Sequence, residues 1–476
     1  MAQLQFFRSP VQPGVVSSSS RAGAVAMSRR QAIVGGAAAL AAPLIVSRHV
    51  LGQGPTAPSE QLNLAGIGVG GVGFSQLQAC EKAGFRIAVL CDVDQQYAKR
   101  AFERWPQAAR YRDFREMLQA EGDKIDAVYC GTPDHSHAVI CLAALRRKKH
   151  LCCVKPLTRT IHERRCVVEA ARAAGVATQV TASPNTSEVA CRTCELIWAG
   201  AIGPVREVHT WSNRPLWPQG MARPAGADPV PSHLDWDLWI GPAPMRPFKD
   251  VWPEDHLALL QVGARHSRGV YHPWNFRGWW DFGTGALGDM GCHHVNTPYR
   301  ALKLGSPVRI HASSTRVLPE TAPLGSIVAY DFPAREDMPP VRLVWYDGGV
   351  KPPCPPEIEH RALPDEGTLY VGDEGRMLGP KILDAQRAAK FENVPRTLPR
   401  RAGTWGEWYE ACRGGEPAGC NFEWAGPLTD FVLLGNIAIR TRKMLHWDAS
   451  SRDFTDAPEA NKYLQEPYRD GWSLDS

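Results

Sequence analysis

The chain has 476 residues, of which 44% are apolar and 22% are charged. This length allows two or three domains with a sizeable core. The composition excludes a disordered, a collagenous or a multispan membrane protein. The net charge is +5, but five arginines and no acidic residue precede Glu60. The rest of the chain is near neutral, so its charge gives no support for a nucleic-acid or membrane-surface partner.

Residues 1–52 have the features of a twin-arginine export signal with a long lead-in. Arg29 and Arg30 precede a small apolar run, Ala32–Val46, which is too short to cross a bilayer as a helix. A basic pair followed by a short apolar run without acidic residues is typical of this signal. We therefore predict export to the periplasm, without membrane attachment afterwards, and a linker at residues 53–60. A poorly folded N-terminal tail is the alternative.

The thirteen cysteines all follow position 79, in an odd number and without regular spacing. Several lie in apolar, strand-like runs, where cysteine acts as a small hydrophobic residue. These are Cys91, Cys130, Cys152 and Cys153. Cys191 and Cys194 form a C-x-x-C pair with no second pair nearby, so a structural zinc or redox role is the less favoured alternative. The sequence predicts no metal site.

A glycine-rich turn follows the first apolar, strand-like run, Leu62–Ile67. Residues 68–73 read Gly-Val-Gly-Gly-Val-Gly, and a helical pattern continues to Ala83. In this strand–turn–helix context, the G-x-G-x-x-G spacing is typical of dinucleotide binding at a helix N-terminus. The residues expected to bind the pyrophosphate are Gly68, Gly70, Gly71, Val72 and Gly73. A glycine-rich turn in an empty doubly wound sheet is the alternative.

The second predicted strand, Arg86–Cys91, leads directly into Asp92. A carboxylate at this place accepts hydrogen bonds from the ribose hydroxyls and repels a 2′-phosphate. Asp92 therefore favours NAD over NADP.

Strands and helices continue to alternate after Asp92. The predicted elements are helix Gln95–Arg104, strand Ile125–Cys130, helix His135–Arg147, strand His150–Val154 and helix Ile161–Ala174. Such alternation predicts a parallel sheet that binds ligands at the carboxyl ends of its strands. Thr132, Pro133 and Lys155 lie at such ends, together with Gly73 and Asp92.

From about Thr181 onward, strands are separated by long connections rich in Pro and Trp, which predicts a second, α+β domain. Eight tryptophans occur within 70 residues: Trp211, Trp217, Trp236, Trp239, Trp252, Trp274, Trp279 and Trp280. Aromatic faces stack on the apolar faces of sugar rings, so this density favours a carbohydrate substrate. Most of the eight are nevertheless expected in the core or at a subunit interface.

Asp289 and His293 are four residues apart in a predicted helix. Residues at this spacing share one helix face, so both side chains can project into one cleft. A histidine beside a carboxylate is the usual composition of a proton-transfer pair. A structural hydrogen bond is the alternative.

These motifs occur in the order found in the Gfo/Idh/MocA oxidoreductases, which the chain resembles over Leu62–Trp472. The resemblance rests on the glycine turn, Thr132-Pro133 with His137, Lys155-Pro156 and Asp289-x-x-x-His293. The segments Tyr271–Trp280 and Asn421–Leu428 are similar to those of the exported, twin-arginine branch of that family.

The resemblance implies a Rossmann NAD-binding domain at residues 61–181. It also implies an α+β domain with a large open, mainly antiparallel sheet at 182–476, which binds substrate and forms a homo-dimer or tetramer. Lys155, Asp289 and His293 are then the catalytic residues, and NAD is the cofactor. Thr132, Pro133, His137 and Lys155 are expected beside NAD. Tyr271, Arg277, Trp279 and His294 are expected beside the substrate.

Two positions depart from the family pattern. Val154 stands where the family usually has Glu, which affects the electrostatic tuning of Lys155 and the contact with the nicotinamide. The segment Gln179–Asn185 lacks the Arg or His residues often found there, which leaves the substrate specificity open.

The favoured function is NAD-dependent oxidation of a sugar or glycoside hydroxyl. His293, oriented by Asp289, is expected to take the hydroxyl proton, and Lys155 to stabilise the alkoxide. An exported enzyme has no free NAD pool, so tightly bound NAD is expected. A redox-neutral glycosidase cycle, through oxidation at C3 and elimination across C1–C2, is the first alternative. A non-catalytic sugar-binding protein is the second.

Overall fold

The computed structural model describes residues 61–262, 269–358 and 361–475. The predicted export signal and linker, 1–52 and 53–60, lie outside these residues. In the part of the chain that is described, no helix has both the length and the apolar character needed to cross a membrane.

The first half of the described chain forms a six-stranded parallel sheet. Its strands are β1 (Asn63–Ile67), β2 (Arg86–Cys91), β3 (Ala109–Tyr111), β4 (Ala127–Cys130), β5 (His150–Cys153) and β6 (Thr178–Val180). The spatial order is β3-β2-β1-β4-β5-β6, so the order reverses between β1 and β4. The helices of this half are α1 (Val72–Ala83), α2 (Lys99–Arg104), α3 (Phe114–Glu121), α4 (His137–Arg146) and α5 (Ile161–Ala174). This is the predicted Rossmann arrangement, with a binding crevice at the reversal.

The second half is built on a nine-stranded sheet. Its strands are β7 (Val205–Trp211), β8 (Arg309–Ser314), β9 (Ser326–Phe332), β10 (Val341–Tyr346), β11 (Gly367–Gly372), β12 (Gly375–Leu378), β13 (Lys381–Ile382), β14 (Leu445–Asp448) and β15 (Asp453–Phe454). The order is β13-β12-β11-β7-β10-β9-β8-β14-β15. Only the β7–β10 pair among these is parallel. The expected large, mainly antiparallel sheet is confirmed.

The second half of the described chain also contains seven helices. They are α6 (Glu188–Trp198), α7 (Trp236–Ile240), α8 (Ala258–Val262), α9 (Gly285–Ala301), α10 (Ala385–Lys390), α11 (Gly403–Cys412) and α12 (Phe422–Thr441). Helices α9 and α12 pack closely because small residues lie between them. A Cβ atom on Gly291 would lie 2.5 Å from Val432, and one on Gly435 would lie 2.6 Å from Leu287. This packing fixes α9, which carries Asp289 and His293.

Most element bounds agree with the sequence pattern, but α2 begins later than predicted. The Asp94 carboxylate accepts hydrogen bonds of 2.9 Å from the backbone N–H groups of Gln96 and Tyr97. An aspartate that bonds its own downstream backbone stabilises a turn. Residues 95–98 therefore form a turn, and the helix starts at Lys99.

Candidate active site

A cavity of about 320 Å³ lies at the carboxyl ends of the parallel strands. On the side of the parallel sheet, Gly68, Asp92, Thr132 and Lys155 line it; each of them follows a different strand. Residues from the second half complete the wall: Leu238, Trp239, His272, Trp274, Arg277, Asp289 and His293. The structure thus brings together residues such as Gly68 and His293, which are 225 positions apart in the chain.

The glycine turn at the centre of the cavity fits a dinucleotide pyrophosphate. Gly68 has a φ of +75°, a conformation that favours glycine. A Cβ atom on Gly73 would lie 2.0 Å from the carbonyl oxygen of Gly68, so helix α1 starts directly against the turn. Its N-terminus faces the cavity, where backbone N–H groups favour an anion. Gly68, Gly70, Val72 and Gly73 line the cavity.

Gly71 does not line the cavity but gives the turn its shape, with a φ of +49°. The Tyr97 ring covers this part of the turn, since a Cβ atom on Gly70 would lie 2.1 Å from it. Tyr97 also lines the cavity, and sequence reasoning missed it. Tyr97 lies in the turn before α2, which the Asp94 carboxylate stabilises. No sequence motif indicated this turn.

Asp92 lies on the rim of the cavity beyond the glycine turn. Its carboxylate accepts hydrogen bonds from the backbone N–H groups of Val69 (2.9 Å), Gly70 (3.2 Å) and Asp94 (3.0 Å). Burial raises the pKa of Asp92, and these N–H donors act in the opposite direction. A carboxylate has about four acceptor positions, so at least one remains for a ribose hydroxyl.

Lys155, Asp289 and Arg277 form a charged cluster at the other end of the cavity. The Lys155 ammonium donates to Asp289 Oδ1 at 2.6 Å and to the backbone carbonyl of Asp289. The Arg277 guanidinium donates to the same Oδ1 at 2.9 Å. Burial alone would raise the pKa of Asp289, but the two cations hold it well below its usual value. The cluster therefore has two cations and one carboxylate.

His293 lies beside this cluster, but its hydrogen-bond partner differs from the predicted one. Its Nδ1 is 3.2 Å from the Ser183 hydroxyl, whereas Asp289 is occupied by Lys155 and Arg277. The expectation that Asp289 orients His293 is therefore wrong. The reason is that two cations from other elements reach the carboxylate. Burial, together with the Lys155 charge, lowers the pKa of His293 to about 3, so the imidazole is neutral.

The loop after β4 carries Thr132 and Pro133, which line the cavity as predicted, and also Asp134. Burial raises the pKa of Asp134, whose carboxylate accepts a 2.7 Å hydrogen bond from the Thr284 hydroxyl. His137 does not line the cavity. Carbonyl oxygens of Pro156 and Thr132 lie 2.9 Å from its Nδ1 and Nε2. His137 thus ties the loops after β4 and β5 together and does not contact the cofactor site itself.

The four predicted substrate residues divide into three environments. Arg277 lines the cavity, and its guanidinium stacks 4.1 Å from the Trp274 ring centre. Tyr271 and Trp279 are buried, with ring centres 4.9 Å apart, and do not reach the cavity. Both fill an aromatic core cluster, and their contact with the substrate stays a prediction. His294 lines a neighbouring groove and not the cavity.

Four of the eight tryptophans belong to the same aromatic cluster: Trp236, Trp239, Trp252 and Trp279. Trp211 and Trp217 are also almost fully buried. Of the eight, only Trp239 and Trp274 line the cavity. Most of the eight therefore pack in the interior, as expected.

The neighbouring groove meets the cavity at His293, which lines both. Hydroxyl-bearing side chains line it: Ser183, Ser187, Thr193, Thr297 and Thr368. His294 Nε2 lies 3.8 Å from Glu366, which accepts a 2.6 Å hydrogen bond from Arg214. Sequence reasoning missed Ser183, Arg214 and Glu366, because they lie on loops that no motif marks.

All thirteen cysteines are free thiols, and most are buried, as the strand-like context of several predicted. Cys191 and Cys194 are buried on α6. The sulfur atoms of Cys130, Cys141 and Cys153 lie within 4.8 Å of one another beneath the cavity. Because these residues come from two strands and a helix, their spacing in the sequence does not reveal the cluster.

Comparisons with known proteins agree with this geometry. Residues 62–182 match the family model GFO_IDH_MocA, described as an oxidoreductase family with an NAD-binding Rossmann fold. An inositol 2-dehydrogenase of Arthrobacter sp. is 38% identical over 102 residues, which cover 21% of this chain and 30% of that protein. A levoglucosan dehydrogenase of Pseudarthrobacter phenanthrenivorans is 27% identical over 135 residues, covering 27% and 34%.

A glycosyl hydrolase family 109 protein of Shewanella sp. (strain ANA-3) is 33% identical over 129 residues, which cover 25% of this chain and 27% of that protein. The chain thus matches about a third of the length of these curated relatives.

Solved structures match over a larger part of the chain. The WlbA dehydrogenase from Bordetella pertussis, in complex with NADH and UDP-GlcNAcA, has a TM-score of 0.54 and 14% identity, covering 82% of this chain and 99% of that one. An aldose–aldose oxidoreductase from Caulobacter crescentus has a TM-score of 0.50 and 15% identity, covering 81% and 100%. At this identity the likeness concerns the fold, and it agrees with the two-sheet architecture. The family model and the glycine turn together identify residues 62–182 as an NAD-binding Rossmann domain like that of the Gfo/Idh/MocA oxidoreductases, with NAD as its cofactor.

Proposed function

We propose that this protein oxidises a hydroxyl group of a sugar or glycoside with NAD that stays tightly bound. The observation that carries the proposal is the meeting of Lys155, Asp289 and His293 at one end of the dinucleotide cavity. NAD supplies the hydride acceptor when it is bound. The residues around it then have to bind the hydroxyl, remove its proton and stabilise the oxygen.

The charged cluster suits this task. A neutral His293 can accept a hydroxyl proton, and its Nδ1 contact with Ser183 leaves Nε2 for the substrate. The Lys155 ammonium stabilises negative charge on the substrate oxygen, and Asp289 holds the ammonium in place through the 2.6 Å hydrogen bond. Arg277 balances the buried carboxylate, so Lys155 retains positive charge for the alkoxide.

The groove beyond His293 supports a carbohydrate substrate. It offers several hydroxyl side chains, two histidines and the Glu366 carboxylate, which suit a ligand rich in hydroxyl groups. Two relatives that match the NAD-binding half are named inositol 2-dehydrogenase and levoglucosan dehydrogenase. Both names refer to polyhydroxylated substrates.

Export and assembly complete the proposal. The twin-arginine pair Arg29-Arg30 supports export of the folded, NAD-loaded protein to the periplasm. Tightly held NAD then serves repeated cycles, since no pool of free NAD exists there. A homo-oligomer built through the nine-stranded sheet is part of the same proposal.

A redox-neutral glycosidase is the second candidate. The match to a glycosyl hydrolase family 109 protein favours it, as does the compatibility of Lys155 and His293 with reversible oxidation. In that cycle, oxidation at C3 acidifies the C2 proton, the leaving group departs from C1, and hydration and reduction restore the sugar. Both candidates keep NAD bound, but only the glycosidase cycle exchanges the C2 proton of the sugar with solvent.

An aryl glycoside incubated with the purified protein in heavy water separates them. Under net oxidoreduction, with a second sugar added as the hydride acceptor, the glycosidic bond stays intact, while a keto-glycoside accumulates together with the reduced acceptor sugar. Release of the aryl alcohol with deuterium at C2 would make the glycosidase cycle the main activity. If neither the oxidised sugar nor the aryl alcohol forms, and calorimetry still detects sugar binding, the protein is a non-catalytic sugar-binding protein. The Lys155→Met variant is the control for chemistry that depends on the site.

A further inference from the structure

Near its C-terminus the chain has a segment, Leu464–Leu474, that contacts both halves of the molecule and that we call the C-terminal strap. The strap follows a short 3₁₀ helix, Pro458–Tyr463. One of its side chains, Trp472, lines the cavity beside Arg112, Asp113 and Phe114. The strap therefore contributes directly to the nucleotide site, although it is the part of the chain most distant from the glycine turn.

Several polar contacts hold the strap to both halves of the molecule. The His162 N–H donates to the Leu464 carbonyl at 2.9 Å, and the Tyr468 hydroxyl donates to Glu163 at 2.6 Å. These contacts attach the strap to the N-terminus of α5. Glu466 accepts hydrogen bonds from Arg159 and, at 2.8 Å, from Arg440.

Arg469 attaches the strap to α7, whose residues Leu238 and Trp239 also line the cavity. Its guanidinium donates to the Gly241 carbonyl at 2.6 Å, to the Asp237 carbonyl at 2.8 Å and to the Asp237 carboxylate at 2.9 Å. These contacts hold the strap at residues just before Trp472 in the chain, so they limit the movement of the indole.

The position of Trp472 indicates which part of the dinucleotide it meets. The pyrophosphate belongs at the glycine turn, and the adenosine ribose belongs at Asp92, which follows β2. Trp472 lies one strand farther out, at the loop after β3, where its ring centre is 6.3 Å from that of Phe114. The charged cluster around Lys155 is at the opposite end. Trp472 therefore lies at the adenine end of the cavity.

We propose that Trp472 is an adenine-binding residue, and that the C-terminal strap closes the adenosine end of the site so that NAD is retained. The Arg115 guanidinium stacks 4.7 Å from the Trp472 ring centre and supports the indole. Stacking of a base on an aromatic side chain contributes about 1–3 kcal/mol, which corresponds to roughly five- to 150-fold in affinity. The proposal depends on NAD as the cofactor and is independent of the substrate.

The test compares two nucleotides that differ at the adenosine. NADH contains it, and reduced nicotinamide mononucleotide lacks it. For Trp472→Ala we expect release of NADH, followed by its fluorescence during a chase with excess NAD, to become about tenfold faster or more. The affinity for reduced nicotinamide mononucleotide should stay within twofold of wild type. Trp472→Phe keeps an aromatic ring and should release NADH at a rate close to that of wild type. Trp198→Ala replaces a partly exposed tryptophan elsewhere in the molecule and is the control.

Arg469→Ala keeps the indole but removes the attachment to α7, so it should also accelerate NADH release and leave the mononucleotide unaffected. It provides the same comparison if Trp472→Ala does not fold. Unchanged NADH release in both variants would overturn the proposal. An equal loss of affinity for both nucleotides would also overturn it, because the strap would then support the fold as a whole and not the adenine.

Discussion

At the scale of single residues, the pairing of charges in the cavity determines what a substitution does. Lys155 and Arg277 share the Asp289 carboxylate, at 2.6 and 2.9 Å. Removing a partner from a buried ion pair is normally very destabilising, because it leaves an uncompensated charge. Here a second cation remains, so the site tolerates the loss of one.

We therefore expect Lys155→Met to fold and to retain NAD, because Arg277 still neutralises Asp289. Turnover should fall by at least about 10²-fold, since the charge that stabilises the substrate oxygen is lost. Nucleotide absorbance of the purified variant and its steady-state rate are the measurements, and the exposed Lys124→Met serves as control. A variant that keeps more than a tenth of the wild-type rate would remove Lys155 from the catalytic residues.

His293 makes a prediction about pH. Burial and the Lys155 charge lower its pKa to about 3, below the ordinary 6.5, so the neutral, proton-accepting form persists as the pH falls. The acidic limb of kcat/KM should therefore lie below pH 5 as long as the protein remains folded. A rate profile measured with circular dichroism at each pH checks this. A limb near pH 6.5 would contradict it, and His293→Asn should abolish the limb together with most of the activity.

Asp92 makes a prediction about the choice of cofactor. Its buried carboxylate would face the 2′-phosphate of NADP, and this contact between like charges opposes the binding of NADP. We expect tighter binding of NAD than of NADP, and Asp92→Ala should reduce the preference while weakening NAD binding. Calorimetric titration of the nucleotide-free protein measures both. Asp92→Asn keeps the hydrogen-bonding shape and isolates the charge. Tighter binding of NADP by wild type would refute the assignment.

At the scale of elements, the parts with strong local signals are the ones that sequence reasoning located well. Helix α5 occupies Ile161–Ala174, as predicted, because both of its ends are capped by local chemistry. Thr160 accepts from the Glu163 N–H, Glu163 accepts from the Thr160 N–H, and Gly175 ends the helix with a φ of +65°. Helix α2 lacks such signals at its start, and its predicted N-terminus was too early.

The capping box of α5 gives a prediction for stability. Thr160→Ala removes the side-chain acceptor and should lower the free energy of unfolding by about 1 kcal/mol. Thr160→Ser keeps the acceptor and should lie close to wild type. Urea denaturation of both variants provides the comparison. Equal stability of the Ala and Ser variants would show that the cap contributes nothing measurable.

At the scale of the whole molecule, the cavity is lined by the loops after the parallel strands, by helices and connections of the second half, and by the C-terminal strap. A bound dinucleotide would therefore contact segments from both halves of the chain. We expect the purified protein to carry nucleotide and to turn over repeatedly with none added. Mass spectrometry of the denatured protein and an assay in nucleotide-free buffer check this. Turnover that stops after one equivalent would exclude a cofactor-retaining cycle.

The amino-acid sequence by itself determined the cofactor half of this protein. The glycine turn, Asp92 and Lys155 are each tied to the end of a predicted strand, and parallel strands place their ends at one edge, so local pattern was sufficient to locate them. The spacing of Asp289 and His293 also placed both on one helix face at the cavity. These inferences needed only periodicity and the order of elements along the chain.

The tertiary structure alone decided the partners of those residues. Arg277 reaches Asp289 from 12 residues away, Ser183 reaches His293 from 110 residues away, and Trp472 reaches the cavity from the C-terminal strap. Tyr271 and Trp279 are indistinguishable from substrate residues by type, and only their packing shows that they are buried. The reason is physical: periodicity reports the faces of an element, whereas a contact between loops depends on how whole elements pack, and that information is distributed over the entire chain.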